Sequence, residues 1–171
     1  MHSYTWWPIL TLVTLATVTD IRSHRIPNWL VLPFLAAGVA LNTAHRGVSG
    51  VGSSLAGIAL AVAVTGILCG LGAMGMGDLK LCAAVGAWIG PAQLSTALVV
   101  TGLAGGVMAL IQAARRGSLG ESLDGAGDLV GKFLARGVRP HPTLTLDNPA
   151  AHVMPYSPAI AFGTLFSFLT T

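Results

Sequence analysis

Two aspartates are the residues of this sequence that are best suited to chemistry. Asp20 ends one apolar run, and Asp78 lies inside another, in the stretch Gly75–Lys80 (GMGDLK). An ionisable side chain at membrane depth is costly and is rarely kept there without a function. Glycines such as Gly75 and Gly77 leave the backbone before Asp78 uncrowded, so a second peptide chain has room to lie alongside it. The pattern therefore predicts a site that handles a peptide.

A pair of neighbouring carboxyl groups can cleave an amide bond by general acid/base catalysis. Two close carboxylates do not both ionise easily, so one keeps a proton while the other carries the charge. The ionised member takes a proton from water, the protonated member donates to the carbonyl oxygen, and the two then exchange roles to expel the amine. If Asp20 and Asp78 lie together, this chemistry needs no metal and no cofactor, and we expect none.

The remaining reactive side chains do not form a competing constellation. Cys69 and Cys82 lie in apolar runs, without a C-x-x-C motif or histidines at ligand spacing, which favours buried structural thiols over a zinc site. The histidines fall in predicted loops or near the N-terminus, where solvated side chains are the simpler interpretation. They are His2, His24, His45, His141 and His152.

Both aspartates also have structural interpretations. Asp20 can cap a helix or pair with Arg22 or Arg25 on the polar side of the membrane. Asp78 can pair with Lys80, although residues two apart on a helix point to different faces, which disfavours that pair if the stretch is helical.

The composition is that of a polytopic membrane protein. Of the 171 residues, 53% are hydrophobic and only 9% are charged, and the mean hydropathy is +0.74, whereas soluble domains have about 25% charged residues. This length allows one membrane domain, over 1–171, and no large soluble module. The formal net charge is only +3, and no basic stripe with interleaved aromatics appears, which argues against nucleic-acid binding.

The apolar runs predict an all-α fold of six transmembrane helices. Trp6 and Trp7 mark an interfacial belt at the start of the first span, Pro33 predicts a kink in the second, and Pro91 ends the fourth. The expected spans are about 4–20, 28–43, 51–72, 74–91, 93–113 and 154–170.

The start of the fourth span decides the depth of Asp78. Leu79–Gly90 makes only about 18 Å of helix, which cannot cross roughly 30 Å of hydrocarbon. The span must therefore begin near Met74, which leaves Asp78 near one face but recessed into the membrane.

Polar segments separate the spans. We expect a basic hinge at 21–27, with Asp20 and Asn28 at its two ends, and a turn at 42–50. In the loop 114–153, apolar residues recur at helical spacing opposite charged ones, which predicts an amphipathic helix on the membrane surface. A partner-binding helix is the alternative.

Small residues at a spacing of four predict close helix packing. The pairs are Gly66/Gly70, Gly86/Gly90 and Gly102/Gly106.

The basic residues predict the orientation. With the N-terminus outside, only Arg46 of the nine Lys and Arg residues lies on the outer side, as the positive-inside rule favours. Asp20 and Asp78 then reach the cytoplasmic face at a similar depth, so we expect them to form one site. The eight inner residues are Arg22, Arg25, Lys80, Arg115, Arg116, Lys132, Arg136 and Arg139.

Three motifs follow one another along the chain. They are Asp20 with Arg22, Arg25 and Ile26-Pro27-Asn28, then Gly75-x-Gly77-Asp78-x-Lys80, then Pro155-Tyr156-x-Pro158-Ala159-Ile160. Together they resemble the bacterial type IV prepilin peptidases, in particular the short form found with tight-adherence (Flp) pilus loci. The resemblance implies a GxGD-type intramembrane aspartic endopeptidase that cuts the leader of prepilins at the cytoplasmic face of the inner membrane.

By this match Asp20 and Asp78 are the catalytic pair. The residues expected to support them are Gly75, Gly77, Lys80, Arg25, Pro27 and Asn28. Implied partners are prepilin substrates and the lipid bilayer, with the pilus assembly machinery as a further candidate and no nucleic acid. Larger members carry an N-terminal methyltransferase region with paired C-x-x-C motifs. This sequence begins at the first span, so we expect no N-methyltransferase activity.

Two other classes of protein compete with this interpretation. A small proton-coupled transporter or channel could use Asp20 and Asp78 as a proton relay. Transporters usually show internal repeats with matching broken helices, and the second half of this chain has no counterpart of the two acids. A membrane scaffold without catalytic activity leaves the cost of Asp78 unexplained.

Overall fold

The computed structural model describes residues 3–23, 26–71, 74–117, 120, 131 and 156–170. Its helices confirm the all-α prediction for these residues. The predicted amphipathic helix, like most of the loop 114–153, lies outside the described residues. The helices are α1 Ser3–Ser23, α2 Asn28–Arg46, α3 Val48–Gly70, α4 Met76–Arg116 and α5 Ser157–Leu169.

Helix α4 consists of two helical segments that meet at Gly90. The φ of Gly90 is 73° and its ψ is 177°, and Pro91 follows directly. Proline has no N–H, so the carbonyl of Ala87, four residues earlier, has no helical donor. The two segments occupy the positions of the predicted fourth and fifth spans.

In the part of the chain that the structure describes, two helices are long and apolar enough to cross a membrane: Val48–Gly70 and Met76–Arg115. Only 22% of the most apolar 18-residue stretch of each helix is buried within the protein. A core helix of a soluble protein is mostly buried, so these exposed apolar sides suit contact with lipid. Helix α5 is apolar but shorter, and the six-span topology stays a prediction.

The predicted turn at 42–50 is present but much shorter than expected. Helix α2 continues to Arg46 and α3 begins at Val48, so only Gly47, with a φ of 59°, separates them. Asn42 is polar but buried, because it bonds to other helices, and its polarity therefore does not mark a loop. His45, expected in a loop, lies exposed in the last turn of α2.

The hinge at 21–27 is also shorter than expected, because α1 continues to Ser23. Asp20 therefore lies inside a helix and not at its end. Helix α4 begins at Met76, two residues later than expected, with Gly75 in the N-cap position.

The first segment of α4 is the centre of the fold. Every residue from 81 to 88 is buried. Helix α3 approaches it closely at Gly57 and Gly86, where a Cβ on Gly86 would lie 2.7 Å from the Gly57 carbonyl oxygen. The packing predicted for Gly86 is therefore confirmed.

The packing predicted for Gly102 and Gly106 is wrong within the described part of the chain, where nothing lies within 4 Å of a Cβ at either position. The face of α4 that packs is a neighbouring one, which contains Thr101 and Gly105. Gly105 lies against Tyr156, and Thr101 lies against Gly163 of α5. The spacing of four is present, but the sequence did not indicate which face of α4 uses it.

Helix ends converge at one end of the molecule. The hydroxyl of Ser157, at the start of α5, contacts Asp20 near the end of α1. At the opposite end of the same two helices the rings of Trp6 and Phe168 lie 4.4 Å apart, so α1 and α5 are antiparallel. Cys69, near the end of α3, contacts Gly75 at the start of α4. The acid-bearing end, defined by Asp20, Asp78 and Ser157, is therefore built from the termini of several helices.

Candidate active site

Asp78 lies in the first turn of α4 because Gly75 is the N-cap of that helix. The Asp78 N–H donates to the Gly75 carbonyl oxygen at 3.1 Å, and the Asp78 carboxylate accepts a hydrogen bond from the Gly75 N–H. An acid at the third helical position that bonds back to the N-cap is half of a capping box. One oxygen of Asp78 therefore has a structural role.

The other oxygen of Asp78 has no such role. Oδ1 is buried and has no hydrogen-bond partner among the described residues. Nearly all buried polar atoms in proteins are hydrogen-bonded, and leaving one unpaired is destabilising. Asp78 Oδ1 is therefore available to a proton, a water molecule or a substrate.

Asp20 is buried, with 7% of its surface exposed. Its Oδ2 accepts a hydrogen bond from the Ser157 hydroxyl at 2.7 Å and a longer one from the Ser157 N–H at 3.3 Å. The N-cap residue of α5, Tyr156, makes no side-chain capping bond. Asp20 thus caps a helix, as its structural interpretation allowed, but the helix is α5 and not its own.

The structure brings Asp20 and Asp78 together. Their side chains are close enough for their charges to interact, although they lie 58 positions apart in the sequence. Burial and a neighbouring negative charge both disfavour ionising the two carboxyl groups at once. The two carboxyl groups are therefore neighbours, which a general acid/base pair requires, and their catalytic role stays a prediction.

Among the described residues, three further ionisable side chains lie near Asp78: Cys69, Cys82 and Tyr156. The Cys69 thiol donates to the Gly75 carbonyl oxygen at 3.5 Å, and Cys82 is buried one turn after Asp78. Among the described residues, no three His, Cys, Asp or Glu side chains form a group that could hold a metal ion.

The supporting residues predicted from the sequence lie around this cluster. Lys80 does not pair with Asp78; its Nζ donates to Asn28 Oδ1 at 2.9 Å and so joins α4 to α2. A Cβ on Gly77 would lie 3.2 Å from the Cβ of Ile26, so the residue before Pro27 packs tightly on α4. Pro27 itself is the N-cap residue of α2, and its carbonyl oxygen accepts from the Leu30 N–H at 3.1 Å. Arg25 lies outside the described residues.

Sequence reasoning missed Ser157. It occupies the variable position between Tyr156 and Pro158, so the motif gave it no weight. A signal was present, because serine followed by proline is typical of the first residues of a helix, where side chains and N–H groups meet partners from elsewhere.

Comparison with known proteins places the chain in a family. The family model described as the type IV leader peptidase family matches residues 7–110. The chain is 31% identical to the prepilin leader peptidase/N-methyltransferase of Neisseria gonorrhoeae over 107 residues, which are 59% of this chain and 37% of that protein. It is 34% identical to the proteins of the same name from Pectobacterium carotovorum subsp. carotovorum, over 109 residues (60% and 39%), and Aeromonas hydrophila, over 110 residues (60% and 38%).

The aligned part covers less than two fifths of the length of these curated relatives. No solved structure matches the chain. The matched range 7–110 is more than half of the 171 residues and contains both Asp20 and Asp78. The chain therefore belongs to the type IV leader peptidase family.

Proposed function

We propose that this protein is an intramembrane aspartic endopeptidase that removes the leader peptide of type IV prepilins of the Flp type. The observation that carries the proposal is the meeting of Asp20 and Asp78, both largely withdrawn from solvent, with one buried oxygen unpaired among the described residues. The family supports the same function, because the relatives that the chain resembles are named prepilin leader peptidases.

In this mechanism water is the nucleophile and the two aspartates handle its protons. The ionised carboxylate takes a proton from water as the oxygen attacks the scissile carbonyl carbon. The protonated carboxyl group donates to the carbonyl oxygen, so that little charge builds up in a site of low dielectric. Both steps need the two groups within reach of one carbonyl, and their position at a single end of the molecule supports this.

We further propose that the acid-bearing end faces the cytoplasm in a chain that crosses the bacterial inner membrane six times, with its N-terminus outside. Arg22 and Lys80 lie at this end, and Arg115 lies on the α4 segment that continues past Tyr156, whereas Arg46 lies at the opposite end of α2. This distribution is the one that the positive-inside rule favours. Prepilin leaders would then meet the site from the cytoplasm.

The proton-relay transporter remains the alternative from another class, and the family match does not favour it. For residues 1–171 we propose an activity of leader removal without N-methylation. Cys69 contacts Gly75 and Cys82 is buried beside Asp78, which leaves no C-x-x-C pair of the kind implied for methyl transfer.

The test is a reconstituted cleavage assay. The purified protein, in detergent or lipid nanodiscs, is incubated with a Flp-type prepilin, and mass spectrometry measures leader removal and locates the cut. Asp20→Asn and Asp78→Asn are the matched controls, because the amide keeps the shape of the carboxyl group but cannot exchange a proton in the same way. An intact prepilin with wild-type protein, under conditions in which a known leader peptidase cleaves it, would refute the proposed function.

A further inference from the structure

Ser157 approaches a single oxygen of Asp20 with two donors. The hydroxyl lies 2.7 Å and the N–H 3.3 Å from Asp20 Oδ2. Ser157 is fully buried, at 0% exposure, so bulk water does not compete for these contacts. Its N–H is also at the N-terminus of α5, where the partial positive charge of a helix favours an anion. Hydrogen bonds donated to a carboxylate stabilise its ionised form.

Asp78 has a weaker set of donors. One of its oxygens accepts from the Gly75 N–H, and Oδ1 is buried without a partner among the described residues. If Asp78 were ionised, this oxygen would hold negative charge with no compensating hydrogen bond, which is costly in a buried site. A proton on Asp78 removes that cost and provides a donor for a substrate carbonyl.

The neighbouring charges do not reverse this asymmetry. Among the described residues, the ionisable groups that face the pair are Cys69 on α3, Cys82 on α4 and Tyr156 before α5, and thiols and phenols are ordinarily neutral at pH 7. On α1, Arg22 is exposed. On α4, Lys80 is bonded to Asn28 of α2. The donors of Ser157 are therefore the main difference between the two carboxyl groups.

We propose that Ser157 is a positioning residue that holds Asp20 ionised, which makes Asp20 the general base and Asp78 the general acid. This assignment rests on the proposed peptidase function and adds to it the direction of proton flow. Ser157 acts through Asp20 and does not touch the substrate.

The resulting cycle balances. Asp20 takes a proton from water, the water oxygen bonds to the carbonyl carbon, and Asp78 gives its proton to the carbonyl oxygen, which yields a gem-diol. Asp20 then gives its proton to the amide nitrogen while Asp78 takes one from a gem-diol hydroxyl. The C–N bond breaks, an acid and an amine leave, and both aspartates return to their starting states.

The test compares pH–rate profiles of prepilin cleavage. In Ser157→Ala the loss of a hydrogen bond to a charged group should move the acidic limb of the kcat profile to higher pH by about one unit, because Asp20 then binds a proton more readily. Below that limb kcat should fall about tenfold, with KM unchanged. Ser157→Thr keeps the hydroxyl, so the acidic limb of its kcat profile should lie at the same pH as in the wild type.

Ser167→Ala is the matched control. Ser167 is equally buried, on the same helix, and its hydroxyl donates to the Thr164 carbonyl oxygen at 2.7 Å, away from the acids. Its profile should follow the wild type. An unmoved acidic limb in Ser157→Ala, or an equal loss of kcat at every pH, would overturn the assignment and leave Ser157 with a structural role only.

Infrared spectroscopy at neutral pH tests the assignment without a cleavage assay. The wild-type protein should show a band of a protonated carboxyl group, and Asp78→Asn should lose it. Persistence of the band in Asp78→Asn, or its absence from the wild type, would overturn the assignment. Because this readout needs no substrate, it remains decisive if Ser157→Ala does not fold. It also separates an error in the assignment from a failure of the proposed function, which only the cleavage assay reports.

Discussion

The two ends of the first α4 segment treat buried polar groups in opposite ways. At the acid-bearing end, Asp78 Oδ1 is buried without a partner in the described part of the chain. About 14 Å along the helix, the Ala87 carbonyl oxygen, which Pro91 deprives of its helical donor, accepts from Asn42 Nδ2 at 2.8 Å and from the Ser54 hydroxyl at 2.7 Å. The freed carbonyl at the second end is compensated, and the buried oxygen at the first is not.

The compensated end shows how the break in α4 is stabilised. Asn42 Nδ2 also lies 3.0 Å from Ser54 Oγ and 3.2 Å from the Trp88 carbonyl oxygen, so α2 and α3 together replace the lost helical bond. Unsatisfied backbone groups are costly in lipid, and breaks in helices there depend on such neighbours. A buried polar group with all its hydrogen bonds made has a structural role, whereas a buried group without a partner is a candidate for a functional role.

The largest expected effect is at the acid-bearing end. Asp20→Asn and Asp78→Asn should each lower the rate of leader removal by about 10²–10⁴-fold or more, because each change removes one partner of the general acid/base pair. Both variants should still insert and fold, since an amide side chain can accept the hydrogen bonds of the carboxylate. The double variant should be little worse than either single one, as for residues that act as a unit. Full activity in either single variant would show that the acid-bearing end is not the catalytic end.

The orientation of the two ends is tested by cysteine labelling. In a background without Cys69 and Cys82, an impermeant reagent added from outside should modify a cysteine at Ser49, which is exposed beside the Gly47 turn. The same reagent should spare a cysteine at Ser122, which lies in the predicted cytoplasmic loop, outside the described residues. The reverse pattern would place the two aspartates on the outer side, away from cytoplasmic leaders.

A smaller effect, on stability and not on catalysis, is expected at the compensated end. Asn42→Ala removes one donor to the Ala87 carbonyl and should lower the free energy of unfolding by about 1–3 kcal/mol. The kcat of the folded fraction should be unchanged, because the aspartates lie at the other end of the segment. Unfolding is followed in detergent, with Thr43→Ala as the control, since Thr43 is exposed and bonds within its own helix. Loss of kcat at full stability would mean that the two ends are coupled.

The same contrast explains what the sequence could predict. Hydrophobic runs identified the helices, and Pro91 identified the break, because these follow from local chemistry. Asp20 and Asp78 stood out because acids are rare in apolar runs. Asn42 was misassigned to a turn, since a polar residue beside Gly47 looks exposed until its partners on α3 and α4 are known.

Ser157 could not be found for a related reason. Its contact with Asp20 joins residues 137 positions apart, and serine is common at helix starts whether or not a tertiary partner exists. Gly102 and Gly106 show the same limit in packing: their spacing was recognised, but the face that packs is the one with Gly105. Local pattern thus predicts which segments are helical, and only the tertiary structure shows which faces and termini meet.

The smallest expected effect is that of a chelator, which should leave the rate of leader removal unchanged. A carboxylate pair activates water by taking its proton, so it needs no Lewis acid. A zinc site would need four ligands such as thiolates or imidazoles, whereas the Cys69 thiol bonds to Gly75 and Cys82 is buried in the core.

The measurement is mass spectrometry of pilin processed with methyl donor present, with and without chelator. We expect cleaved, unmethylated product at equal rates. A methylated product would contradict the proposal of leader removal alone. Activity that chelation abolishes and zinc restores would show that the unpaired oxygen of Asp78 binds a metal and not a proton.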